Sequence, residues 1–153
     1  MSRLQPTPLA AYPVTRPLGV RWGDVDVYGH VNNVVYLAWF DTAVNGWYVD
    51  EGLLVPGRSS RVFLVVETGC QYFREMRFGE AVTCGIRVAR LGSSSVTYDL
   101  ALFGDDGGAG DEKARARGRF VHVQVDADSR KPAPIEGDAR AAFERILVEG
   151  ADG

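Results

Sequence analysis

The segment Asn33 to Val49, NVVYLAWFDTAVNGWYV, constrains the fold of this chain more than any other. Tyr36, Phe40, Ala43, Val44 and Trp47 fall at i, i+4, i+7, i+8 and i+11, which is one face of a 3.6-residue period. Leu37, Ala38 and Trp39 widen the apolar stripe, leaving Asp41, Thr42 and Asn45 as the polar side. A helix so nearly apolar all round is expected to be mostly buried. Asn32 or Asn33 can cap its start, and Gly52 is a plausible stop.

Around that helix the chain alternates with period two, as strands do. Val14–Trp22 reads as a first strand, with Pro17 marking an edge or strand start. Val62–Phe73, Ala81–Leu91, Ser95–Phe103 and Lys113–Val125 follow. In the last of these Ala114, Ala116, Gly118, Phe120 and His122 share one face, and the small residues suit a place where a helix comes close. The opposite stripe, Lys113, Arg115, Arg117 and Arg119, reads as a solvated face or, as a row of cations, as a candidate for phosphate contacts. A short final helix, capped by Asp138, puts Ala142, Phe143, Ile146 and Leu147 on one side. Four consecutive antiparallel strands would form a meander whose concave face needs covering, and only the early helix is long and apolar enough for that. The expected fold class is α+β, an antiparallel sheet wrapped around one long central helix.

The 153 residues suffice for one domain with its own core. The domain is expected over 14–148, with a flexible N-terminus at 1–13, a frayed tail at 149–153 and a mobile hairpin tip at Gly104–Asp111. With 17 basic against 20 acidic residues the formal charge is −3, which argues against a nucleic-acid module. Cys70 and Cys84 with two histidines make no metal-ligand set, and both cysteines read as small buried hydrophobes. The longest strongly apolar run, Val34–Phe40, falls far short of the ~20 residues that span a bilayer, and Met1–Pro13 lacks a signal-peptide core. A cytoplasmic protein is expected, with no membrane span.

Reactive residue types concentrate in Arg21-Trp22-Gly23-Asp24-Val25-Asp26-Val27-Tyr28-Gly29-His30-Val31-Asn32-Asn33, which runs directly into the helix. The first turn of a helix exposes unpaired N–H groups and a partial positive charge, so it stabilises an oxyanion. A carboxylate on the preceding loop adds an attacking or water-activating group beside it. Each residue also has a plainer use. Asp24 and Asp26 can bond their own backbone as Asx turns do, His30 can be a packed structural residue, and Asn32-Asn33 is foremost a capping pair.

The string D-V-D-V-Y-G-H-V-N-N, preceded by Trp22 and followed by an aromatic-rich helix, resembles the signature of the 4-hydroxybenzoyl-CoA thioesterase family of hot-dog-fold proteins, in its bacterial acyl-CoA thioesterase-like branch. Weaker likeness continues through Arg90-Leu91-Gly92-Ser93-Ser94-Ser95-Val96 and through Val123–Asp126 before Lys131-Pro132, so that it covers roughly residues 14 to 147. The resemblance implies a homodimer or homotetramer with active sites at subunit boundaries. Asp26 would be nucleophile or general base against a thioester, and the backbone N–H near Asn33 would polarise the carbonyl. His30 and Asn32 would hold the loop and touch the acyl group, and Asp24 would be structural. Tyr36, Trp39 and Trp47 read as core or as the lining of an acyl tunnel, with core the default. Arg90, Arg130 and Lys131 are the candidates for the CoA phosphates, with Ser93 and Ser94 as hydrogen-bond donors, although Leu91-Gly92-Ser93-Ser94 lacks the basic cluster of the namesake enzyme.

The expected activity is hydrolysis of a fatty or aromatic acyl-CoA, with acyl carrier protein as a possible alternative carrier. No metal or cofactor is implied beyond the CoA of the substrate. A thiol leaves readily, with a pKa of about 8.5 against roughly 15 or more for an alcohol, so no strong acid or metal is demanded. Two competing readings remain at this point, a hot-dog enoyl-thioester hydratase or dehydratase using Asp26 and His30, and a non-catalytic acyl-thioester binding protein.

Overall fold

The computed structural model describes residues 2–105, 112–148 and 150–151. The chain runs β1 (Val14–Leu18), α1 (Asn33–Asp50), β2 (Arg61–Tyr72), β3 (Val82–Leu91), β4 (Ser95–Phe103), β5 (Ala116–Asp126) and α2 (Gly137–Arg145). The five strands form one antiparallel sheet in the order β1-β3-β4-β5-β2. This corrects the simple meander. Only β3, β4 and β5 are sequential neighbours, and β2 crosses to the far edge, pairing with β5 from Arg61↔Asp126 to Tyr72↔Ala116. Alternation along a strand records which face is buried and carries nothing about which strand lies alongside.

Helix α1 lies in the concave face, as expected of an antiparallel sheet wrapped around one helix, and the architecture is the hot-dog fold. Its buried residues are Tyr36, Trp39, Phe40, Ala43, Val44, Trp47 and Tyr48, the expected face with Trp39 and Tyr48 added. Val34 and Ala38 are exposed, so the helix is less completely enclosed than its composition suggests. Asn32 is the N-cap, its side chain accepting the Val34 N–H, and Gly52 follows the last turn at φ +72°. The tightest approach to the sheet is at Gly118, where an added Cβ would lie 2.6 Å from the Phe40 ring. Ala116 joins this core, whereas Ala114 packs on the other side with Tyr12, Ala101 and Phe103.

Several boundaries move for local reasons. β1 stops at Leu18 because Trp22–Asp24 turns as a 3-10 helix, and β5 begins at Ala116 because Lys113 bridges to Pro8 instead. Asp138 lies inside the first turn of α2 rather than at its cap, which is Glu136. The loop expected at Gly104–Asp111 falls outside the described residues from 106 onward, as do Glu149 and the last two residues of the tail.

The outer face of the sheet is not the solvated stripe expected of Arg115 and Arg117, which are 3% and 1% exposed. Asp99 holds Arg87 and Arg117, each 2.6 Å from its Oδ2, and Arg115 pairs with Glu80 at 3.0 Å. Residues 4–13, expected to be flexible, cover this network. Arg117 donates to the Gln5 carbonyl, Arg87 donates to the Ala11 carbonyl, and the Arg87 guanidinium sits 4.8 Å over the Tyr12 ring. Buried guanidinium groups need such partners, since an unpaired buried charge is strongly destabilising.

Beneath α1, the Tyr48 hydroxyl meets both the Tyr98 hydroxyl and His122 Nδ1, the latter at 2.7 Å. Burial pushes the His122 imidazole down to about 4, so it is neutral in the folded protein. Unfolding frees it to take up a proton below its ordinary value of about 6.5. Stability is therefore expected to fall as pH drops from about 6.5 towards 4, by up to about 3 kcal/mol from this group. Thermal melts of wild type and His122→Asn across that range check this, since the variant should lose the pH-dependent component.

Candidate active site

The segment between β1 and α1 folds on itself through its own carboxylates. Asp24, 2% exposed, accepts the Arg21 N–H at 2.7 Å and pairs with the Arg21 guanidinium at 2.9 Å. That guanidinium holds the Asp24 carboxyl below the usual carboxylate range. The Asp24 carbonyl then accepts the Asn32 N–H at 2.8 Å, which sets the approach to the helix. The Asp24 carboxyl is thus engaged in bracing the loop.

Asp26 opens a tight hairpin. Its N–H donates to the His30 carbonyl at 2.8 Å, and its Oδ1 accepts the N–H groups of Tyr28 at 2.8 Å and His30 at 3.1 Å. Gly29 turns the corner at φ +81°, a conformation that strains any side chain with a Cβ. Both plainer readings of Asp26 and His30 are thus partly met, because Asp26 does bond its own backbone. Those bonds engage one carboxylate oxygen and fix the orientation of the group.

A second loop, between β2 and β3, grips this hairpin. The Val31 N–H donates to the Met76 carbonyl at 2.8 Å, His30 bridges to Arg77, and His30 Nε2 lies 3.1 Å from Glu75 Oε2. Between the two loops opens a cavity of about 400 Å³. Asp26, His30, Asn32, Asn33 and Tyr36 line one side of it, so five of the residues singled out from the sequence come together. Tyr72, Phe73, Arg74 and Glu75 form the facing wall. Asn33 is the first residue of α1, and among the described residues its N–H meets no acceptor. Such first-turn donors are the groups a helix offers to an anion.

Arg90, Ser93, Ser94 and Lys131 are elsewhere. Ser93 and Ser94 occupy the β3–β4 turn, braced by Ile135 and Gln124, and Lys131 follows the end of β5. In the sheet register these residues lie five or more rungs from Tyr72 and the N-terminus of α1, towards the opposite end of the strands. Within one chain these residues do not share the Asp26 cavity.

The facing wall was not legible as a site. Tyr72 and Phe73 read as ordinary strand residues and Glu75 as a loop charge, and their one sequence signal is the break in alternation after Tyr72. Among the described residues no three His, Cys, Asp or Glu side chains gather as a metal site. No described helix is long and apolar enough to cross a membrane.

The sheet wrapped on one long helix is the hot-dog arrangement, and the family of the chain makes it a thioester hydrolase of that class. The chain belongs to the thioesterase-like superfamily, whose family model matches residues 20–143. It is similar to the PA5185 protein of Pseudomonas aeruginosa, at 42% identity and TM-score 0.86, over 94% of this chain and 97% of that one. A Thermus thermophilus thioesterase complexed with coenzyme A and Zn is 28% identical, with TM-score 0.70 over 89% and 95% of the two chains. A 1,4-dihydroxy-2-naphthoyl-CoA thioesterase from Synechocystis, 18% identical with TM-score 0.73 over 86% and 96%, shares the fold. No curated protein matches the sequence.

The two aspartates should separate by substitution. Asp24→Ala strips a buried acceptor from the Arg21 N–H and is expected to cost about 1–3 kcal/mol, read as a fall in Tm. Asp26→Asn keeps an oxygen for the Tyr28 and His30 N–H groups and should leave Tm nearly unchanged.

Proposed function

We propose that the chain hydrolyses the thioester of an acyl-CoA, with Asp26 as the carboxylate that attacks the carbonyl carbon or takes a proton from the attacking water. The observation that carries this reading is the one cavity lined by both Asp26 and Asn33, the first residue of α1, whose N–H has no acceptor among the described residues. As the carbonyl carbon becomes tetrahedral, negative charge gathers on its oxygen. A donor already in place at the positive end of α1 stabilises that charge without reorganising. The thiolate then departs without demanding a strong acid, and where Asp26 itself has attacked, water hydrolyses the acyl-aspartyl anhydride so formed to the free acid. The coenzyme A in the Thermus relative supports CoA as the carrier.

His30 presents its backbone N–H to Asp26 and its ring to Glu75, which suits a role in holding the loop. Tyr36, backed by Trp39 and Tyr72 with ring centroids 5.7 and 5.0 Å away, offers the acyl group an aromatic wall. Asp26→Asn is expected to lower thiol release from acyl-CoA on the order of 10²-fold or more. A thiol-release screen across acyl chain lengths checks this, and near-wild-type hydrolysis by the variant would remove the assignment. With an enoyl-CoA, loss of the conjugated absorbance without free thiol would instead favour a hydratase, and tight binding without thiol release would favour a binding protein.

The distant Arg90, Ser93, Ser94 and Lys131 fit the reading if a second copy, antiparallel to the first, brings them to the Asp26 cavity. The β2 edge, with Val65 and Val66 exposed, is open to such a neighbour. On this reading, mixing Asp26→Asn with Arg90→Ala subunits restores activity, because one site of each mixed dimer receives both native residues. Equal activity before and after mixing argues that Arg90 serves no shared site.

A further inference from the structure

We infer that Tyr72 is a positioning residue for thioester hydrolysis, tying the end of strand β2 to the first turn of α1, the turn that carries the Asn33 N–H and lines the cavity. This rests on the proposed role of that N–H. The Tyr72 hydroxyl donates to the Asn33 carbonyl oxygen at 3.1 Å, across 39 residues of sequence. Its ring packs on Tyr36 at 5.0 Å between centroids, and both rings line the cavity that holds Asp26. Tyr72 is thus fixed at both ends, by its strand and by its contact with the helix.

The contact matters because of where it acts. The first turn of a helix lacks the preceding carbonyls that lock later turns, so its peptides are the freest in the element. Asn32 caps this turn with a bond to Val34 of 3.4 Å, at the long end of the usual range. The Tyr72 hydroxyl adds an anchor from outside the helix, on the Asn33–Val34 peptide, which is joined through the Asn33 Cα to the peptide that carries the unpaired N–H. Burial, with Cys70 alongside, pushes the Tyr72 phenol up to about 12, so the hydroxyl stays a donor throughout the working range of pH. An oxyanion donor held in advance is worth more than one that must be ordered during the reaction.

Tyr72→Phe tests this, because the ring and its packing on Tyr36 remain and only the hydroxyl is lost. The expected result is a fall in kcat of roughly 5- to 10-fold, with KM changed by less than about twofold and Tm unchanged. A second readout uses the carbonyl stretch of an acyl-CoA bound to Asp26→Asn protein. Adding Tyr72→Phe should move that band back towards its position in free substrate. Wild-type kcat, a rise in KM alone, or a loss of activity matched by a loss of folded protein would each overturn the role of Tyr72. Measuring Asp26→Asn in the same assay separates the two ideas. Full activity there sinks the proposed site, whereas an inactive Asp26→Asn beside an unaffected Tyr72→Phe sinks only the positioning role.

Discussion

The seating of α1 in the concave sheet is the contact on which the rest of the molecule depends. Phe40 rests against the bare backbone of Gly118, and the seven buried side chains of the helix follow from that approach. Interiors are packed too densely for the helix to shift or turn in place. Its N-terminus is therefore held at one end of the sheet, where the loop before it and the loop after β2 meet.

The site is an outcome of that meeting. Asp26 is braced by its own hairpin, His30 and Val31 are gripped by the β2–β3 loop, and Tyr72 reaches the first turn of the helix. Each part is held by hydrogen bonds that have a main-chain group at one end at least. Such bracing suits a reaction that relies on a placed carboxylate and a placed N–H. On the proposed mechanism those two groups are Asp26 and the Asn33 N–H.

On the other face, the N-terminal residues turn what composition suggests is an exposed basic stripe into a buried network around Asp99. Arginines in an alternating strand look alike whether water or another segment covers them. The covering segment, rich in proline and without apolar periodicity, gives no sign of where it lies. The same blindness applies to β2, whose partner is β5 although its sequence neighbours are α1 and β3.

Local order, then, was written in the residues. The span of α1, its cap, the face it buries and the Asp26 hairpin all rest on interactions between residues within a few positions of each other, which periodicity and turn chemistry encode. The resemblance in the D-x-D-x-x-G-H-V-N-N string added the chemistry. Tertiary structure alone decided the strand order, the burial of Arg115 and Arg117, the wall of Tyr72 and Glu75, and the distance of Arg90 and Lys131 from Asp26. Those depend on segments tens of residues apart competing for one core and one set of sheet edges, and no local pattern records which of them wins.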